Sequence, residues 1–150
     1  MLYANKKAFT MIELVFVIVV LGILASVAIP RFAVTRQDAQ LAKAKSDVAA
    51  IRSAIISERQ TRLFRGQSGF ISAIDNGATN AEGQTIFDGN GTSVLLQYGI
   101  VTSASNGHWM RTNGDEYTYT VAIGTAVFDY TKATGTFDCV DSTVCSILTD

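Results

Sequence analysis

Residues 9–30 read FTMIELVFVIVVLGILASVAIP. From Leu14 to Pro30 the run is uncharged and almost wholly apolar, with Glu13 in front of it and Arg31 behind. A helix needs about 20 apolar residues to cross a bilayer core, range roughly 17–25. Phe9, Met11 and Ile12 lengthen the run, so the stretch predicts a membrane-spanning helix with one acid near its start. A carboxylate at membrane depth costs about 2.5–3.5 kcal/mol even on an insertion scale. Glu13 therefore either lies at the headgroup interface and reaches water, or pairs with a cation and serves a function.

The residues around it bear on that choice. Lys6-Lys7-Ala8-Phe9-Thr10-Met11-Ile12-Glu13 closely resembles the processing site of the type IV pilin and type II secretion pseudopilin family. That family has a short basic leader, a small residue before the cut, then Phe-Thr-(Leu/Met)-Ile-Glu. Its usual small residue is Gly, where this chain has Ala8. The resemblance implies cleavage between Ala8 and Phe9 by a prepilin peptidase and N-methylation of the new Phe9 amine. It also implies assembly roles for Glu13, for Gly22 inside the helix and for Pro30. The likeness covers the first quarter of the chain. A secretory signal peptide cut after Ser26-Val27-Ala28 is the rival reading, and a plain one-pass anchor is another. Glu13 at the front edge of the apolar run and the helical pattern beyond Pro30 speak against the signal peptide.

Charge is divided unevenly along the chain. From Arg31 to Arg65 there are eight bases and three acids, net +5; from Gly66 onward there are two bases and nine acids, net −7. Such a division favours contact between the basic stem of one copy and the acidic head of another, or serves solubility alone. Lys6 and Lys7 before the apolar run and Arg31 and Arg36 after it leave the positive-inside rule nearly tied. The family resemblance implies the N-terminus in the cytoplasm and the bulk of the chain in the periplasm.

Leu41, Ala44, Val48, Ile51 and Ile55 recur at spacings of three and four, and neither Gly nor Pro falls between Arg31 and Arg65. This predicts an amphipathic helix over 31–65 that continues the apolar one. Pro30 should loosen it around Ser26, and Gly22 should weaken it further. The expected organisation is thus a leader (1–8), a long helix (9–65; 9–30 transmembrane, 31–65 amphipathic) and a head (66–150). The segment 66–91 carries Gly66, Gly69, Gly77, Gly83, Gly89 and Gly91 and reads as a turn-rich loop. Phe70, Ile71 and Ile74 could form a short helix or strand within it. Thr92 to Tyr98 reads as a short helix capped by Thr92 or Ser93 and stopped at Gly99.

The last third alternates in the manner of strands. Tyr117–Ile123 and Ala126–Thr131 suggest a hairpin turning at Gly124-Thr125, Thr136–Val140 a following strand, and His108–Arg111 a preceding one. The expected fold class is α+β: a long N-terminal helix, its first half transmembrane, packed against a three- or four-stranded antiparallel sheet, pilin-like in outline.

Cys139 and Cys145 are the two cysteines. Outside the cytoplasm an oxidised pair is the default; two free core thiols are the alternative. A bridge would staple the C-terminal tail to the sheet. Many type IV pilins close a C-terminal loop in this way, whereas major pseudopilins more often do without.

Signals of catalysis are sparse. His108 is the single histidine, and no phosphate-binding loop or zinc cluster occurs. The sequence therefore reads as a non-enzyme with no cofactor, Ca²⁺ excepted: Asp138, Asp141 and Asp150 are candidate ligands by likeness to pseudopilin tails, without EF-hand spacing. Asp88-Gly89-Asn90-Gly91-Thr92 contains a glycosylation sequon at Asn90, or is a plain Asn-Gly turn. The acidic head disfavours nucleic acid, although the basic stem could contribute if exposed. The expected role is a structural subunit of a type IV pilus-like filament. Its expected partners are copies of itself, the prepilin peptidase, an inner-membrane assembly platform and membrane lipid. The alternatives are a pseudopilin driving protein export through type II secretion, and a membrane-anchored binding module.

Overall fold

In chain order, helix α1 (Met11–Phe64) precedes strands β1 (Thr85–Ile86), β2 (Ile100–Val101), β3 (His108–Asn113), β4 (Glu116–Val121), β5 (Gly124–Thr131) and β6 (Thr136–Asp141), then helix α2 (Cys145–Thr149). The computed structural model describes residues 9–141 and 144–149. The chain divides into two compact units, residues 1–36 and 37–150.

The first unit contributes the beginning of α1. Thr10 caps it: the Glu13 backbone N–H donates to Thr10 Oγ1 at 3.3 Å, and the Leu14 N–H donates to the Thr10 carbonyl. This is the threonine half of a capping box, Thr-x-x-Glu, and it starts the helix two residues later than expected. Every large apolar side chain from Met11 to Val34 is exposed, Val20 least at 37 %. The backbone stays helical through Gly22 and Pro30.

The second unit has its own core. On residues 37–64 of α1, Ala44, Val48, Ile51 and Ile55 are buried, as their spacing predicts. The helix ends one residue before the expected Arg65. Gly66 takes φ 75°, its N–H donates to the Leu63 carbonyl, and the Gln67 N–H donates to the Arg62 carbonyl. That is a Schellman cap, which wants glycine at this position because a Cβ opposes positive φ.

The sheet is a four-stranded antiparallel meander in the order β3-β4-β5-β6. Trp109, Tyr117, Tyr119, Val121, Ala126, Phe128, Tyr130 and Phe137 are its buried members, the alternation that places one face on α1. The β4–β5 turn differs from expectation. Val121 pairs with Gly124, so Ala122-Ile123 make the two-residue turn and Gly124 is already strand. Sliding the turn to Gly124-Thr125 would change the register, and a one-residue slip would expose the buried tyrosines.

The loop 65–102 departs most from the sequence reading. Phe70, Ile71 and Ile74 belong to no helix or strand; Ile71 and Ile74 are nevertheless buried. Residues 92–98 are not helical. Asn90 Oδ1 accepts from the N–H groups of Thr92 and Ser93, Gly89 bridges to Val94, and Leu95 and Leu96 donate back to Asp88 and Phe87. A short side chain competing for backbone donors displaced the helix. β1 and β2 form a separate two-stranded antiparallel sheet that two-residue strands do not announce in sequence. Phe87, fully buried with φ 61°, sits among Trp109, Tyr117 and Phe137 at ring-centroid distances of 4.7–5.7 Å. A bulky residue at positive φ is strained, and here the aromatic cluster holds it.

Candidate assembly surface

The functional candidate is a surface rather than a cavity. α1 contains an 18-residue window of mean hydropathy 2.9, none of it buried. It is long and apolar enough to cross a membrane. Burying one such side chain stabilises by about 1.5–3 kcal/mol, so an exposed apolar stretch of this length requires lipid or protein around it.

Glu13 lies in the first helical turn, where the partial positive charge of the helix N-terminus favours a carboxylate. Among the described residues it takes part in no ion pair. Phe9 is exposed; Ala8, Lys6 and Lys7 lie outside the described residues. A Cβ at Gly22 would meet nothing within 4 Å, so the described contacts of this copy do not demand a glycine there. Pro30 has no N–H and removes one i→i−4 bond. Two hydroxyls flank it by bonding back to carbonyls, Ser26 to Ile23 at 2.7 Å and Thr35 to Arg31 at 3.0 Å, a habit that slightly destabilises and bends helices.

In the second unit Cys139 and Cys145 form a disulfide with their Cα atoms 5.6 Å apart. It ties α2, whose Leu148 is buried, to β6. Asp138 pairs with Arg52 at 3.2 Å, and Arg52 Nε donates to the Phe137 carbonyl, so this candidate Ca²⁺ ligand already faces a cation. Asp150 and the Asp141 side chain lie outside the described residues, which hold no cluster of three or more metal-ligating side chains. Asn90 Nδ2 donates to Ser72 Oγ while its oxygen caps the following turn, so the sequon asparagine is structurally engaged at both ends. His108 is exposed, its Nδ1 beside the Asn106 carbonyl.

Several polar contacts that hold the second unit together are not evident in the sequence. Trp109 Nε1 donates to Asp47 Oδ2 at 3.0 Å; burial pushes the Asp47 carboxyl up, against the pull of that bond and of Lys43. Arg111 pairs with Asp75 at 3.0 Å and donates to the carbonyls of Gly77 and Gly114. Tyr130 donates to the Ile71 carbonyl and Tyr119 to the Gln40 carbonyl. Burial pushes both phenols up to about 12, and Tyr117, buried beside Asp75, also moves upward. Thr10 was missed too, although Thr-x-x-Glu before an apolar run signals it.

A family model described as the prokaryotic N-terminal methylation motif matches residues 3–29. The chain is 46 % identical over 50 residues to the type IV narrow pilus major component PilA5 of Thermus thermophilus, spanning 33 % of this chain and 43 % of that protein. Two fimbrial proteins of Pseudomonas aeruginosa are each 33 % identical over 96 residues, spanning 60 % of this chain and 58 % of theirs. The chain thus spans about half the length of the curated relatives it matches. No solved structure matches it. The motif and the relatives support the type IV pilin family for this chain.

Proposed function

We propose that the chain is a filament subunit of the type IV pilus kind, stored in the inner membrane by α1 and assembled by helix packing. The observation that carries this reading is the exposed apolar stretch of α1 headed by Glu13, inside a matched N-terminal methylation motif. Leader removal between Ala8 and Phe9 frees an amine, which is then methylated. Extraction from lipid is offset by burying the same apolar side chains among other copies. In that bundle Glu13 needs a cation, and the Phe9 amine of a neighbouring copy supplies it. An unpaired charge in apolar surroundings is penalised and a paired one tolerated, so the pair selects register. Gly22 allows close helix approach, and Pro30 lets the helix yield locally as copies pack.

The subunit spans the inner membrane once, with its N-terminus in the cytoplasm and its head in the periplasm, before it joins a surface filament. The relatives' names favour a pilus over a pseudopilus. The test is mechanical shearing of cells, followed by electron microscopy and mass spectrometry of the released material. The expected result is filaments of a chain that begins at methylated Phe9. Protein retaining residues 1–8 in filaments would refute the processing step, and a chain found only as a water-soluble monomer would refute the whole reading.

A further inference from the structure

Beside the stem of the second unit lies an open groove of ≈ 470 Å³. Ala50, Ser53, Ala54 and Ser57 of α1 form one wall, Val94 and Leu95 the other, and Glu58 lines it as well. Glu58 is 8 % exposed, and its Oε1 is buried without a hydrogen-bond partner. A buried carboxylate oxygen left unpaired is costly. The bases nearest in sequence are engaged elsewhere: Arg59 lies over the Phe70 ring at 3.9 Å, and Arg62 Nε donates to the Gly69 carbonyl. The groove thus holds a carboxyl group with no partner among small and apolar side chains, a shape and chemistry suited to one lysine side chain with its apolar stem.

A base with no partner among the described residues lies on the opposite flank of the same unit. At about 100° per residue, Arg52, Ile56 and Arg59 fall roughly 180–240° round α1 from Ala50, facing away from the groove. On that side Arg52 meets Phe137 and Asp138 of β6. The β5–β6 turn closes against Phe70, where a Cβ on Gly135 would come within 2.1 Å of the ring. Lys132 projects from this turn, exposed, with no hydrogen bond or ion pair among the described residues. Arg111, the other base after Gly66, is spent on Asp75. Groove and lysine therefore lie on opposite sides of one unit.

We infer that Lys132 of one copy enters the Glu58 groove of the next. Because the two halves of the contact occupy different faces, the contact is heterologous: it leaves a free groove and a free lysine after every addition. Such an interface propagates into a ring or an open helix and does not stop at a dimer. The inference rests on the filament reading above and adds to it the lateral contact between heads.

Sheared wild-type filaments, treated with a zero-length carbodiimide and digested, should yield a Glu58–Lys132 cross-linked peptide that is absent from detergent-dispersed monomer. Lys132→Glu should lower filament yield at least tenfold while leaving the thermal midpoint of Trp109 fluorescence unchanged, and Glu58→Gln should lower yield as much while leaving that midpoint unchanged or raising it, since it removes an unpaired buried charge. The exchange Glu58→Lys with Lys132→Glu should restore much of the yield. Filaments in which Lys132 cross-links only to another carboxylate, or wild-type yields from both single variants, overturn the contact and leave the filament reading standing. Wild-type cells that make no filaments overturn the filament reading, and the contact with it.

Discussion

Arg111→Met should destabilise the second unit more than any other single polar substitution in it. The Asp75 side chain is 0 % exposed and Arg111 is its ion-pair partner at 3.0 Å. Removing one partner of a buried pair leaves an uncompensated charge, a loss of about 3–5 kcal/mol. The guanidinium also holds the Gly77 and Gly114 carbonyls, so the loop 65–102 would lose one of its ties to the β3–β4 hairpin, keeping those of Asn80 to Arg111 and Thr112. An unfolding entropy of about 2.1 cal/mol/K per residue, taken over residues 37–150, amounts to ~0.24 kcal/mol/K. The expected fall in Tm is therefore ~12–20 °C. Asp75→Asn should cost less, because Arg111 keeps its two carbonyl acceptors and is partly solvated. The double variant should be more stable than Arg111→Met alone, since the orphaned charge is gone. The assay is thermal unfolding of the full chain in detergent, followed by fluorescence of Trp109, the single tryptophan and fully buried. An Arg111→Met midpoint within about 3 °C of wild type, or a double variant no better than Arg111→Met, would refute the reasoning.

Glu13→Ala and Glu13→Leu should leave membrane fractionation unchanged and abolish sheared filaments; normal filaments from either would remove Glu13 from assembly. Reduction of Cys139–Cys145, or Cys139→Ser with Cys145→Ser, opens a loop of separation 6. By loop-closure entropy this should cost about 2 kcal/mol, read as a lower urea midpoint with an unchanged slope. Tyr119 and Tyr130 titrate near 12 in the fold and near 10 when unfolded. The folded chain thus holds protons that the unfolded chain has released. Stability should be flat below about pH 10 and fall between pH 10 and 12, by about 1.4 kcal/mol per pH unit for each tyrosine. Absorbance at the tyrosinate band and Trp109 fluorescence would check this together, and tyrosinate appearing near pH 10 before unfolding would contradict it.

What could be read from the chain alone was whatever depends on local order along it. The apolar run after Glu13, the three-and-four spacing from Leu41 to Ile55, and the alternation through β4 and β5 are periodic signals, and each becomes the element its period dictates. The processing motif is likewise a contiguous string. The tertiary structure decided what depends on partners distant in sequence. Whether 92–98 would be helix turned on Asn90, held from the far side of the loop by Ser72, taking the Thr92 and Ser93 donors. The β4–β5 turn was placed by the register that buries Tyr117 and Tyr119. Asp75 and Arg111, and likewise Asp47 and Trp109, are each ordinary residues until the fold brings them together. Glu58 looks like one more polar position on a helical stem; only the folded chain buries it and leaves one of its carboxyl oxygens without a partner. Periodicity reports which face of an element is apolar, but a charge becomes functional through what surrounds it, and that is a property of the folded chain.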